Sequence, residues 1–294
     1  MTTNARLRVF VRLAECGSVR ATAEALCVTE PSVSAAISAL ARDVGVPLLA
    51  KDGRGVRLTV AGERYAGYAR RILGLHAEAV AAARSEADPE HGLIRLAAVT
   101  TAGEHVLPDL LVSFRAVHPG VDFHLEVRSR DGVWPMLANH EVDLVVAGRP
   151  PAEHPGRVRA ELANTLVAVC SPATAAGFAA DRTAWLLREP GSGTRATCLA
   201  MLSEVSADAP RLTLGSHGAV VAAAVAGLGV TLVSEQAVTP QLESGRLVVL
   251  PVPGTPLARP WHLVSAGRAT ASAELLVRHV LDRPEWSAVD PADS

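Results

Sequence analysis

Residues 18–45, SVRATAEALCVTEPSVSAAISALARDVG, constrain this chain more than any other stretch, because they spell two short helices and the tight turn between them. Ser18 can cap a helix running to Leu26, Cys27 and Val28 form the turn, and Thr29 caps the next helix. Pro31 stands in the first turn of that helix, where a missing N–H is harmless, and Gly45 and Pro47 stop it. Upstream, Leu7, Phe10, Val11, Leu13 and Ala14 fall at helical spacing, and Gly17 ends their helix. In the third helix Val33, Ile37, Leu40 and Val44 make one apolar stripe, which leaves Glu30, Ser34, Ala35, Ser38 and Arg42 on other faces.

A helix-turn-helix of this kind docks its second helix in the major groove of double-stranded DNA while the start of the first meets phosphate. Ser18 and Arg20 suit the phosphate role, and Thr29, Glu30, Pro31, Ser32, Ser34, Ala35 and Ser38 are the candidates on the reading helix. The following KDGRGVRLTVAGE, residues 51–63, reads as a β-wing with Arg54 and Arg57 placed for the backbone or minor groove. From Val60 to about Glu86 a proline-free, alanine-rich helix carries Tyr65, Ala69, Ile72, His76, Ala79 and Ala83 at spacings of three and four. It would span roughly 40 Å and is expected to pair with a second copy, setting the distance between two reading heads. Charge agrees with this division, since residues 1–72 carry a net +5 and the remainder a net −7.

With 294 residues, 49% hydrophobic and 20% charged, the chain should be globular and divide into two or three domains. It has no long apolar run, and its start, MTTNARLRVF, lacks the apolar core of a signal peptide, so a cytoplasmic place and no membrane partner are expected. Cys16, Cys27, Cys170 and Cys198 stand apart without C-x-x-C pairing, against zinc and a disulfide framework. The histidines His91, His105, His124, His140, His154 and His217 show no metal-ligand spacing, so neither metal nor cofactor is expected.

The stretch REPGSGTR, residues 188–195, raises a separate question. Gly191 and Gly193 allow close backbone approach, Ser192 and Thr194 offer hydroxyls, and Arg195 a fork of donors, which are the parts of an anion site. Its bland alternative is a glycine-rich turn starting a helix with Thr194 as N-cap. It is no P-loop, because Lys51 is the only lysine in the chain, and it lacks G-x-G-x-x-G.

The run GSVRATAEALCVTEPSVSAAISALARDVGVPLL together with GRGVRLTVAGE resembles the N-terminal region of LysR-type transcriptional regulators, and the layout of the rest fits that family. Glu30 stands where the family usually has glutamine and Ala35 where arginine or lysine is frequent. Glutamate can accept from cytosine N4 and alanine can pack on a thymine methyl, so the preferred bases should differ. The expected fold is α/β, with an N-terminal winged helix-turn-helix at 1–58, a long dimerisation helix at 59–90, and a two-lobed, periplasmic-binding-protein-like effector domain. Lobe I takes 91–164 and 265–294 and lobe II takes 165–264, with crossovers near Asn164 and Ser265.

The residues themselves predict strands at 93–99, 121–127, 143–147, 166–169, 185–187, 230–233 and 261–264, in largely parallel sheets. Ligands of such sheets bind where strands run into helices. The candidates there are Thr100 and Thr101, with a helix beginning near Glu104; Gly148 and Arg149 of AGRPP; Glu189, Ser192, Gly193, Thr194 and Arg195; and His217 of GSHG. With Ser129 and Arg130, these loops resemble the branch containing regulators of carbon-fixation operons (CbbR-like) and of sulfite reductase genes, although His105 and Ser129 replace the expected tyrosine and asparagine. The resemblance implies a DNA-binding regulator that is no enzyme and senses a small anionic metabolite. It further implies an interrupted palindromic operator, a homodimer assembling to a tetramer, and RNA polymerase as a further partner. The competing readings are a solute-binding module or small-molecule enzyme of the same architecture, and a thiol redox sensor acting through Cys198.

Overall fold

The computed structural model describes residues 3–53, 55–152, 156–205, 208–267 and 269–289. Two compact units divide the chain after Ala82, with residues 139–141 counted in the first. Arg54 and His154 lie outside the described residues.

The first unit begins with α1 (Asn4–Cys16), α2 (Val19–Leu26) and α3 (Glu30–Val44). Each ends on a left-handed residue, Gly17, Cys27 and Gly45 in turn, whose N–H is satisfied by a carbonyl of the last turn. Leu7, Phe10, Leu13, Ala23, Val33, Ile37, Leu40 and Leu48 form its core, so the stripe expected on α3 is buried as expected except for half-buried Val44. A hairpin of β1 (Leu49–Asp52) and β2 (Gly55–Leu58) makes the wing. Thr59 then receives the N–H of Gly62, and α4 (Val60–Ala87) follows. Tyr65 and Ala69 pack into the core, whereas Tyr68, Ile72, Leu75 and Val80 are exposed. The expected stripe on α4 therefore serves two purposes: its start seals the domain, and a separate apolar face stays open.

In the second unit a six-stranded sheet has the order β14-β6-β13-β5-β3-β4. These strands are β3 (Leu93–Val99), β4 (Asp122–Arg128), β5 (Leu144–Ala147), β6 (Gly156–Leu162), β13 (Trp261–Ala266) and β14 (Trp286–Ala288). Its residues alternate between two cores: Ile94, Leu96 and Ala98 meet α6 (Leu107–Val117) and α12 (Ala271–Leu281), while Ala97, Val145 and Ala147 meet α7 (Arg130–Ala138). A second sheet has β7 (Thr165–Cys170) at its centre, paired with β10 (Thr231–Ser234), β11 (Val248–Leu250) and β12 (Leu257–Ala258). Leu166, Ala168 and Cys170 face α9 (Gly193–Val205), and Val167 and Val169 face α10 (His217–Val225). Helices on both faces account for the unbroken apolar strands LVVA and TLVAVC. Close by run β8 (Trp185–Leu187) and β9 (Arg211–Thr213), paired in parallel.

Three expectations change. The six-stranded sheet is mixed, because β3 is parallel to β4 and β5 while β13 runs antiparallel to both β5 and β6, and the sheet around β7 is antiparallel throughout. Strand β13 belongs to the six-stranded sheet, so the chain returns at Arg259 and Pro260, and Ser265 is buried inside a strand. Helices also begin earlier than their apolar periodicity shows: α5 (Thr100–His105) starts at Thr100 instead of near Glu104, and α9 at Gly193, with the Ser192 hydroxyl, not Thr194, accepting the N–H of Arg195. Periodicity is silent on a polar first turn. Among the described residues no helix is long and apolar enough to cross a membrane.

Candidate functional site

In the first unit the candidate reading face is built by burial of its opposite side. Because Val33, Ile37 and Leu40 are locked in the core, Glu30, Pro31, Ser32, Ser34, Ala35 and Ser38 are all exposed on α3. Thr29 caps that helix by accepting the N–H of Ser32, and its hydroxyl lies 2.8 Å from that of Ser32. Ser18 caps α2 by accepting the N–H of Ala21, and exposed Arg20 is held 3.0 Å from Glu24 one turn on. Arg57 is exposed on β2. Hydroxyls, helix N–H groups and arginines are donors that phosphate oxygens accept, and the short side chains of α3 leave its backbone room to approach base edges.

In the second unit the chain crosses between the two sheets at Asn164 and again at Arg259, and the two crossings are bonded together. Asn164 Nδ2 donates to the carbonyl of Arg259 (2.8 Å), the Arg259 N–H donates to the carbonyl of Asn164 (2.7 Å), and Asn164 Oδ1 accepts from the Ser234 hydroxyl (2.6 Å). An inner cavity beside this knot is lined by Thr100, Thr101, Ser129, Arg130, Gly148, Ser192, Gly193, Thr194 and Arg259. The starts of α5, α7 and α9 all contribute to this lining. First-turn N–H groups have no partner within their helix and carry the positive end of its dipole, so the cavity wall is a donor surface. A wider mouth that shares Arg130, Ser192, Gly193 and Arg259 with this cavity is lined also by Arg149 and Arg195.

Gly193 is squeezed between two arginines: a Cβ there would lie 3.0 Å from Arg259 Nη2 and 3.1 Å from Arg130 Cδ. A side chain there would crowd both arginines where they reach the start of α9. Gly191, with φ of +83°, passes 3.1 Å from the Ser129 hydroxyl by the same measure, and its carbonyl accepts the N–H of Asp131. The guanidinium of half-buried Arg259 gives one hydrogen bond, to the carbonyl of Gly193 at 3.1 Å, and among the described residues no carboxylate pairs with it. Burial and the neighbouring Arg130 both lower its pKa, which means the site disfavours this charge when empty.

Thus Thr100, Thr101, Arg130, Gly148, Ser192, Gly193 and Thr194 are brought together, and Arg149 and Arg195 stand at the mouth. Arg195 is committed to its own half, with Nη1 donating to the carbonyl of Arg188 and to Thr213. Glu189 is not in the lining; it forms a two-pronged ion pair with buried Arg188, which holds its carboxyl below the usual range against the cost of burial. His217 is also absent from this cavity. As the first residue of α10 it is buried with its ring edge-on to that of His105. The residue that sequence reasoning missed is Arg259. Placing the second crossing at Ser265 left it in an unremarked loop, and the only local sign was the ARPW sequence just before a strand. Cys198 lies on the buried face of α9 in the same core as Cys170, and burial pushes its thiol up to about 12, which withholds the thiolate that sensing needs.

The description "bacterial regulatory helix-turn-helix protein, lysR family" matches residues 5–63, and "LysR substrate binding domain" matches residues 87–284. Over 287 residues the chain is 33% identical to the HTH-type transcriptional regulator CfxR of Cupriavidus necator, covering 94% of this chain and 90% of that protein. It is 33% identical over 268 residues to CbbR of Rhodospirillum rubrum, covering 88% of each. Full-length CbnR, solved in complex with its target DNA, has the same fold, with a TM-score of 0.65 over 95% of this chain and 98% of that one at 20% identity. The regulatory domain of CcmR from Synechocystis, solved in complex with 2-PG, is 27% identical and covers 64% of this chain and 95% of that one with a TM-score of 0.56.

Proposed function

The chain belongs to the LysR family of transcriptional regulators, and from that premise we propose that it reads DNA through α3 and the wing and answers to a small phosphorylated anion held between Thr100, Thr101 and the start of α9. Arg259 carries this reading. A half-buried guanidinium with no carboxylate among the described residues, beside a second arginine, is costly until an anion arrives. The complex of the CcmR regulatory domain with 2-PG supports a ligand of that class.

The same donors support sensing over catalysis. Among the described residues none of the cavity hydroxyls is hydrogen-bonded to a histidine or carboxylate that could activate it as a nucleophile. The exposed apolar face of α4 supports pairing of two chains, and pairs of dimers would present four reading heads to an interrupted palindrome. RNA polymerase is the further partner that such a regulator would meet on its promoter. A protein that works on DNA in this way belongs in the cytoplasm.

Thermal melting of the full chain with 2-PG, other phosphorylated metabolites and unphosphorylated analogues tests the reading. A phosphorylated ligand should raise the melting temperature in a concentration-dependent way, and Arg259→Met should abolish the rise. A rise equal in Arg259→Met and the parent would remove Arg259 from the site. No rise with any phosphorylated compound would count against the ligand class.

A further inference from the structure

Apart from the anion cavity, a second set of ligating side chains joins parts of the second unit that are far apart in sequence. Glu104 and His105 close α5, His217 opens α10, and one ligand atom from each lies within 4.8 Å of those of the other two. The two rings meet edge to face with centroids 5.6 Å apart, and Glu104 Oε2 is 3.9 Å from His105 Nε2. Glu104 and His105 are exposed, His217 is buried, and all three line one depression. Gln241 lines it too, and its Oε1 is buried without a hydrogen-bond partner.

We propose that Glu104, His105 and His217 form a site for a divalent transition-metal ion of the zinc class, with a remaining position open to water. Two imidazoles and a carboxylate form a borderline donor set that suits Zn²⁺ and Co²⁺ and leaves Mg²⁺ and Ca²⁺ disfavoured. An imidazole ligates through a neutral ring nitrogen, and His217 offers one that is buried beside the two exposed ligand groups. In a tetrahedral zinc site, nitrogen and oxygen ligands lie about 3.4 Å apart. Contraction from the present spacing falls on Glu104 and His105, the two exposed members, which can change rotamer freely. Arg188 acts against the added cation and Glu189 favours it.

Such an ion would tie α5, which packs on the six-stranded sheet, to α10, which packs on the four-stranded one. Thr100 and Thr101 of the anion cavity sit on the same short α5, so metal and anion would bind cooperatively if both favour one arrangement of these helices.

Full-length chain stripped with a chelator and titrated with Zn²⁺ by calorimetry, and with Co²⁺ by visible absorption, tests the site. One saturable site per chain is expected, with Co²⁺ bands of nitrogen and oxygen ligation and no thiolate charge-transfer band. Glu104→Gln and His105→Gln, both exposed and expected to melt as the parent does, should each weaken binding at least about tenfold. His217→Gln should do the same. Absence of saturable binding to the parent, or binding that keeps its affinity in both Glu104→Gln and His105→Gln, overturns the proposal.

Discussion

Arg259 shows how much rests on a single side chain. Its charge opposes the empty state, so Arg259→Met should change the stability of the ligand-free protein by less than about 1 kcal/mol in urea melts while anion affinity falls at least tenfold. Arg259→Ala is the weaker test because it also opens space beside Gly148 and Gly193. His217 gives a prediction in pH. Its folded pKa of about 4 lies below its ordinary 6.5, so the unfolded chain binds a proton that the folded one refuses between those values. Stability should therefore be full above pH 6.5 and fall toward pH 4, by up to about 3 kcal/mol from this group. In His217→Gln the decline across that window should be shallower, as read by urea melts at stepped pH. Cys198, buried with a thiol pushed up to about 12, should resist alkylation and peroxide in the folded chain, as mass spectrometry of intact protein would show.

At the scale of elements, capping residues decide where helices begin, and those beginnings decide what the molecule can hold. Thr29, Ser18 and the glycine at position 17 are readable as caps from sequence because each is followed or preceded by an apolar stripe. The starts of α5 and α9 are not, since Thr100, Thr101 and Gly193 precede any apolar repeat, although they are the turns that face the cavity. In α4, Gly62 lies against the end of α3's following loop: a Cβ there would sit 2.0 Å from the carbonyl oxygen of Leu48. Gly62→Ala should consequently destabilise the first unit by more than about 2 kcal/mol, in contrast to the usual gain of alanine in a helix. Farther along α4, Ile72→Lys and Leu75→Lys should leave helicity and melting of the unit intact but weaken self-association, measured by sedimentation.

For the whole molecule, the knot between the two crossings sets the cavity. Asn164→Ala removes the part-buried bond to the Arg259 carbonyl and leaves the buried Ser234 hydroxyl without its acceptor. About 2 kcal/mol of stability should be lost, and anion affinity should fall because Arg259 is no longer held in place. The amino-acid sequence by itself determined the helix-turn-helix and wing, the long helix, the apolar strands and the hydroxyl-and-glycine loops, because caps, turn residues and burial periodicity act over a few neighbours. Only the tertiary structure decided that β13 joins the six-stranded sheet, that Arg259 lines one cavity with Thr100, Thr101 and Gly193, and that His217 turns to His105 and Glu104 instead. Those outcomes depend on which strands pair and which helix starts converge, and such contacts join residues separated by tens to more than a hundred positions, where no local pattern carries the information.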